Sequence, residues 1–235
     1  LLILDYICSQ RTAHNAMPAS PVFIKTIATI DLAEKIAAHY GVRTINVLTG
    51  FKYIGEAIGQ LDSQSDFICG FEESYGYLTG TYVREKDGAD AALTICEMFA
   101  FYRSRGISLL EKLEEIYKKF GYCYNSLHTF EFPGSSGSLK MDSIMADLRS
   151  GITYIGNCRI IRTEDYSTGI NGLPRSDVIK FYFENDSYSG SVMIRPSGTE
   201  PKLKIYVSVI ADDMAKAMEE ERKISDNLQK KIKRE

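Results

Sequence analysis

Arg195-Pro196-Ser197-Gly198-Thr199-Glu200-Pro201-Lys202 gathers a guanidinium, two hydroxyls, a glycine and a lysine within eight residues. A guanidinium presents a planar fork of donors that matches the oxygens of a phosphate, and the hydroxyls of Ser197 and Thr199 add to it. Gly198 lets backbone N–H groups approach a ligand, and Lys202 brings a mobile positive charge. Pro196 and Pro201 fix φ with or without a ligand, so such a loop loses little entropy on binding. The chemistry this set fits is the binding of a phosphate group. The same residue types also make a polar hairpin turn in which Ser and Thr bond their own backbone.

Three other segments carry chemistry. In Thr49-Gly50-Phe51-Lys52, Gly50 permits a tight turn and Lys52 projects a charge from the start of a helix; the plainer reading is a turn with a solvated lysine. Gly70-Phe71-Glu72-Glu73-Ser74-Tyr75-Gly76 frames two carboxylates and a hydroxyl between glycines. A carboxylate accepts from two hydroxyls and a serine donates or accepts, which suits vicinal sugar hydroxyls; the alternative is an acidic loop turned to water. Acid/base work by the two carboxylates fits poorly, because adjacent residues rarely face one reacting bond from opposite sides. Arg84-Glu85-Lys86-Asp87-Gly88 interleaves two cations with two acids before a helix, and on charge alone reads as a solvated turn.

The elements that must position these loops follow from periodicity. Residues 1–8 are nearly all apolar and fit strand or helix equally. Residues 22–28, 44–49 and 66–69 read as strands, with helices over 30–40 and 51–61 between them, a β-α-β-α-β order that predicts a mainly parallel sheet. The three segments just described are then expected at or just past the C-terminal ends of strands, the edge where α/β sheets bind ligands. From residue 89 the pattern is helical, with Leu93, Met98, Phe99 and Tyr102 as core positions and Gly106 as its end. A further helix begins at Ser108, where Ser108 and Glu111 have capping-box spacing. Its apolar stripe is Leu109, Leu110, Leu113, Ile116, Tyr117 and Phe120, also assigned to the core.

After Gly121 the style changes. Residues 123–132, 158–162 and 178–183 read as strands, with a helix near 139–149 and a turn at Asn185-Asp186. Two alternating runs then flank the phosphate-type loop. The chain closes on a charged helix from about residue 212, with Met214, Met218, Leu228 and Ile232 on one side. The fold class expected is α/β: a mixed, mainly parallel α/β domain over residues 1–121, then an α+β domain over residues 122–235 with an antiparallel sheet and helices on one face.

Taken in order, Gly-Phe-Lys, Glu-Glu-Ser, Arg-Glu-Lys-Asp-Gly and Arg-Pro-Ser-Gly-Thr-Glu-Pro-Lys resemble the ligand loops of domains 3 and 4 of the α-D-phosphohexomutases, the family of phosphoglucomutases and phosphomannomutases. The resemblance covers essentially the whole chain and favours a helix for residues 1–8. It implies that Glu72 and Ser74 contact two sugar hydroxyls and that Gly50, Lys52, Arg84 and Lys86 lie beside the phosphosugar. Arg195, Ser197, Gly198 and Thr199 would grip the phosphate that is not being transferred, with Lys202 a weaker candidate. Glu73 does not carry over in the same way.

That family transfers a phosphoryl group from an enzyme phosphoserine, which needs a Ser-His-Asn-Pro-like loop and an Asp-Gly-Asp-x-Asp-Arg magnesium site. The sequence has only echoes of them. Ala13 stands before His14 with no hydroxyl to phosphorylate, and Ala89 stands where Asp87-Gly88-Ala89-Asp90 would need a ligand. No catalytic residue and no metal ligand is therefore assigned. Mg2+ belongs to the intact enzyme, with ligands outside this chain, and the expected partners are a hexose phosphate or bisphosphate and the missing N-terminal catalytic domains. The chain is expected to be the C-terminal half of a longer protein, its domain 3 lacking the first strand, and inactive alone. A noncatalytic phosphosugar-binding module is the alternative, separable by what precedes Leu1. Glucose against mannose stays open.

Composition sets the outer bounds. A chain of 235 residues with 44% hydrophobic content can bury a sizeable core. A net charge of −3 gives no general field for nucleic acid or an anionic membrane. The opening Leu1-Leu2-Ile3-Leu4 is too short to span a bilayer. Five cysteines without a C-x-x-C pair predict reduced thiols and a cytoplasmic protein, and His14, His39 and His128 lack metal-ligand spacing.

Overall fold

The computed structural model describes residues 1–63, 66–134, 136–198 and 200–234, the side chains of Lys233 and Arg234 excepted. The chain forms two compact units, Leu1–Phe120 and Gly121–Glu235.

The first unit contains α1 (Leu2–Ala13), β1 (Val22–Thr26), α2 (Leu32–His39), β2 (Arg43–Val47), α3 (Phe51–Gly59), β3 (Phe67–Glu72), β4 (Gly76–Leu78), α4 (Gly88–Arg103) and α5 (Leu109–Phe120). Its sheet runs β2-β1-β3-β4, with β2, β1 and β3 parallel and β4 antiparallel to β3. Alternation across β1 assigns the two faces. Phe23 packs with Leu4 and Cys8 of α1, Ile36 of α2 and Ile116 of α5, whereas Val22 and Ile24 pack with Phe51, Ile54 and Ile58 of α3. With both faces covered, β1 is buried along its whole length, as central parallel strands are.

Residues 1–8 resolve as helix. Ile3, Leu4, Tyr6 and Cys8 of α1 are all buried, so the apolar positions show no one-sided stripe. Asp5 is buried too, and its carboxylate accepts from Tyr40 Oη at 2.8 Å and pairs with Lys112 Nζ at 3.2 Å, tying α1 to α2 and α5. The capping box forms as expected: Ser108 N donates to Glu111 Oε2 at 2.8 Å and Glu111 N to Ser108 Oγ at 3.1 Å. Three core assignments are corrected. Met98 and Tyr102 are buried against α1, but Leu93, Phe99 and Leu110 are exposed. Helix α4 carries apolar residues nearly all round, with Ile95 exposed as well, so its sequence does not single out the side it buries; Leu110 lies off the buried side of α5.

The second unit contains β5 (Tyr122–Glu131), α6 (Gly137–Arg149), β6 (Tyr154–Ile155), β7 (Cys158–Asp165), a single 3-10 turn at Tyr166–Thr168, β8 (Ile179–Glu184), β9 (Tyr188–Pro196), β10 (Lys202–Ala211) and α7 (Met214–Arg234). All pairings in its six-stranded sheet, β5-β10-β9-β8-β7-β6, are antiparallel. Leu203, Ile205, Val207 and Val209 of β10 join Phe181, Phe183, Val192 and Ile194 in one core under α6 and α7. Each such fully buried side chain contributes about 1.5–3 kcal/mol. Of the expected face of α7, Leu228 and Ile232 are buried, joined by Ala217, Glu221 and Ile224, while Met218 is exposed.

Asn185 makes the expected turn, accepting from Ser187 N at 2.8 Å and Tyr188 N at 3.0 Å. No helix among the described residues is long and apolar enough to cross a membrane.

Candidate functional site

In the first unit the ends of β1, β2 and β3 share one edge because the strands are parallel. Gly50 follows β2 as the N-cap of α3, with φ 121°, a backbone conformation that suits glycine. Lys52 stands exposed on the first turn, its ammonium 4.8 Å from the Tyr53 ring centre.

The Gly70–Gly76 segment is a hairpin, not a loop past a strand end. Gly70, Phe71 and Glu72 complete β3, Gly76 opens β4 opposite Glu72, and only residues 73–75 make the turn. A three-residue strand such as β4 is too short to show alternation, which is why the sequence hides it. Glu72 is buried, and Lys86 Nζ reaches its Oε1 at 3.1 Å. This pair brings the second and third segments together. Ser74 is exposed at the turn, and Glu73 turns away, its Oε2 accepting from Thr26 Oγ1 at 2.8 Å.

The third segment is wired to its own surroundings. Asp87 caps α4, accepting at Oδ1 from Ala89 N at 2.8 Å and Asp90 N at 3.0 Å, while Tyr82 Oη donates to Oδ2 at 2.7 Å. The Asp90 amide and Tyr82 hydroxyl hold the Asp87 carboxyl below its ordinary pKa, and the same bond pushes Tyr82 up to about 12. Asp90 accepts from Thr79 N and Thr79 Oγ1, each at 2.6 Å. The Arg84 guanidinium donates to the carbonyls of Thr81 and Val83 in its own loop. Its backbone lies so close to α3 that a Cβ on Gly55 would stand 2.0 Å from Arg84 O. Lys86 is the member of this segment that reaches the hairpin.

In the second unit Arg195 and Pro196 end β9 and Lys202 starts β10, so the phosphate-type loop is the tip of a hairpin. Ser197 N donates to Lys202 O at 2.7 Å and Lys202 N to Glu200 O at 2.7 Å, closing the tip. Lys202 Nζ lies 3.0 Å from Glu200 Oε1 and 3.3 Å from Glu131 Oε1 of β5, and those two carboxylates raise its pKa. It braces the loop. Arg195 is half-buried, and among the described residues no carboxylate pairs with it. Ser197 is half-buried and Gly198 exposed, with open space where a Cβ would stand. Thr199 lies outside the described residues.

Residues 1–120 match the profile of phosphoglucomutase/phosphomannomutase alpha/beta/alpha domain III, and residues 169–226 that of the phosphoglucomutase/phosphomannomutase C-terminal domain. The chain belongs to the phosphoglucomutase/phosphomannomutase family. A phosphoglucomutase of Staphylococcus epidermidis is 35% identical over 223 residues, covering 90% of this chain and 39% of that protein. A phosphoglucomutase of Staphylococcus aureus is 35% identical over 221 residues, covering 88% and 38%. The chain thus spans well under half the length of these relatives. Among solved structures, pp63/parafusin, a phosphoglucomutase of Paramecium in its open form, superposes with a TM-score of 0.66 at 20% identity over 97% of this chain and 41% of that one. A phosphoglucomutase/phosphomannomutase family protein of Burkholderia thailandensis gives 0.54 at 12% identity, over 97% and 40%. At those identities the likeness is one of fold.

Seen as a member of the phosphoglucomutase/phosphomannomutase family, the chain carries its two motif echoes as structural parts. His14 is exposed just past the end of α1, the Asp87 carboxylate caps α4 and that of Asp90 is held by Thr79. Among the described residues no three His, Cys, Asp or Glu side chains come together as a metal site. Thr26 and Thr29, beside Glu73, are the polar residues of this edge that sequence reasoning missed. Thr-x-x-Thr at a strand end was the only local signal.

Proposed function

We propose that this chain is the substrate-binding part of a phosphoglucomutase/phosphomannomutase that interconverts hexose 1-phosphate and hexose 6-phosphate through an enzyme phosphoserine and a bisphosphate intermediate. The observation that carries the reading is Arg195: a half-buried guanidinium at a closed hairpin tip, without a carboxylate partner among the described residues, beside a lysine that two carboxylates hold. A cation left unpaired next to a backbone turn suits an anion, and the planar fork suits phosphate. Ser197, Gly198 and Thr199 complete that grip, with Lys202 fixing the shape of the loop.

In the first unit Glu72 accepts from sugar hydroxyls with the lone pairs that Lys86 leaves free, and Ser74 adds a second polar contact. Lys86, with half its side chain exposed, swings between Glu72 and the phosphosugar, and Lys52 adds positive charge to the same edge. Gly50 and Arg84 shape the loops that carry them. A substrate that binds in two orientations needs one fixed phosphate grip and a hydroxyl reader that accepts either end of the sugar. The phosphoserine and magnesium loops are supplied from outside these 235 residues, so the chain alone binds without turning over. Its setting is the cytoplasm, where its five free cysteines stay reduced.

The test is calorimetric titration of the chain with glucose 6-phosphate, glucose 1-phosphate and mannose 6-phosphate, beside Arg195→Ala. Loss of one charged hydrogen-bonding partner is expected to cost about 1.5–3 kcal/mol, a tenfold or greater drop in affinity. Equal affinity in Arg195→Ala removes the phosphate loop from the proposal.

A further inference from the structure

A polar relay runs inward from the tip of the β3-β4 hairpin through the end of β1. Thr26 Oγ1 lies 2.8 Å from Glu73 Oε2 and 2.8 Å from Thr29 Oγ1. Thr26 and Thr29 are both buried, at 0% and 3% exposure. An ionised carboxylate only accepts, and a hydroxyl has one proton to give. Thr26 therefore donates to Glu73 and accepts from Thr29, which fixes the direction of the relay as Thr29 to Thr26 to Glu73. Further in, Thr29 N donates to Thr26 O at 3.0 Å and Thr29 O accepts from Lys25 Nζ at 3.1 Å. Lys25 is fully buried and pairs with Glu34 of α2 at 3.0 Å, so the inner end of the relay is anchored in the sheet and a helix.

The outer end carries a turn that needs holding. Tyr75 has φ 62°, the left-handed region that costs a non-glycine residue free energy, and its side chain is 89% exposed. Among the described residues, the Thr26 hydroxyl is the only side-chain partner that reaches residues 73–75.

We propose that Thr26, Thr29 and Glu73 are positioning residues of the hairpin: the relay pins its tip to the end of β1, so that the Ser74 hydroxyl and the Glu72 carboxylate stand together. The sugar-facing part of this inference rests on the substrate reading above; the pinning itself does not. Glu73 is committed to Thr26 while Glu72 is paired with Lys86, so the two consecutive glutamates serve different ends.

Amide hydrogen exchange on the 235-residue chain tests the pinning directly. Thr26→Val keeps shape and removes the donor, and is expected to speed exchange at Gly76 and Leu78 about tenfold, as loss of one charge-assisted bond would. Thr26→Ser, which restores the hydroxyl, is expected to match the unaltered chain. Glu73→Gln, at an exposed position, is expected to speed the same amides by a smaller factor, and it carries the test should Thr26→Val fail to fold. Unchanged exchange in Thr26→Val and Glu73→Gln overturns the proposal, as does Thr26→Ser behaving like Thr26→Val. Glucose 6-phosphate titrated into the same variants is expected to bind more weakly in the order of their exchange. A chain that binds no sugar phosphate while the exchange pattern holds overturns the substrate reading and keeps the relay.

Discussion

Gly76 shows how much one hydrogen atom decides. A Cβ there would stand 2.7 Å from Glu72 Cγ, 2.8 Å from Glu72 Oε1 and 2.8 Å from Phe51 Cδ2. Phe51, the first residue of α3, is packed in the core and cannot yield, so the methyl group would push Glu72 off Lys86. Gly76→Ala is expected to cost about 1–3 kcal/mol in urea unfolding and to weaken sugar phosphate binding together with it. An unchanged midpoint would mean that Glu72 has another position available. At this scale residue type was legible and residue partnership was not. The sequence offered Glu72, Ser74, Lys86 and Arg195 as groups of the right chemistry, yet neither the pairing of Lys86 with Glu72 nor the brace from Glu131 to Lys202 is encoded in local spacing. Thr26 meets Glu73 across 47 residues because parallel register brings two strand ends side by side.

Elements with one dominant pattern could be read directly. The alternation of β10 and the capping box of α5 both appear in the structure, because each signal depends only on neighbours within a few residues. The last helix misled. Its buried face includes Glu221, which receives hydrogen bonds from Ser126 and Ser225 and lies 2.9 Å from His128 Nε2. A charged residue inside the apolar stripe shifts the apparent phase toward Met218. Those contacts join α7 to β5 and make their union sensitive to acid. Burial raises the Glu221 pKa, but the bonds from Ser126, Ser225 and His128 outweigh burial and hold it below the ordinary carboxylate range. With its folded pKa below its unfolded one, Glu221 stabilises the fold above the unfolded value, and that contribution is lost as pH falls through the folded value. Melting temperatures of the chain and of Glu221→Gln are therefore expected to differ at neutral pH and to converge below about pH 4. A gap that persists unchanged to lower pH would show that the ionised carboxylate contributes nothing.

At the scale of the whole molecule, the order of elements told the fold class. Strands separated by helices gave the parallel-rich sheet of the first unit, and strands following by hairpin gave the antiparallel sheet of the second, each with its own core. The short strands β4 and β6 were lost because two or three residues carry no period. We propose that this chain holds a sugar phosphate through its Arg-Pro-Ser-Gly hairpin. Two-dimensional NMR of the chain, titrated with glucose 6-phosphate and with glucose as the phosphate-free control, is the experiment that decides this. The sugar phosphate is expected to shift the Ser197 and Gly198 amides and the Arg195 guanidinium, and glucose to leave them in place. Shifts confined to other regions, or none at these three residues at saturating sugar phosphate, would contradict it.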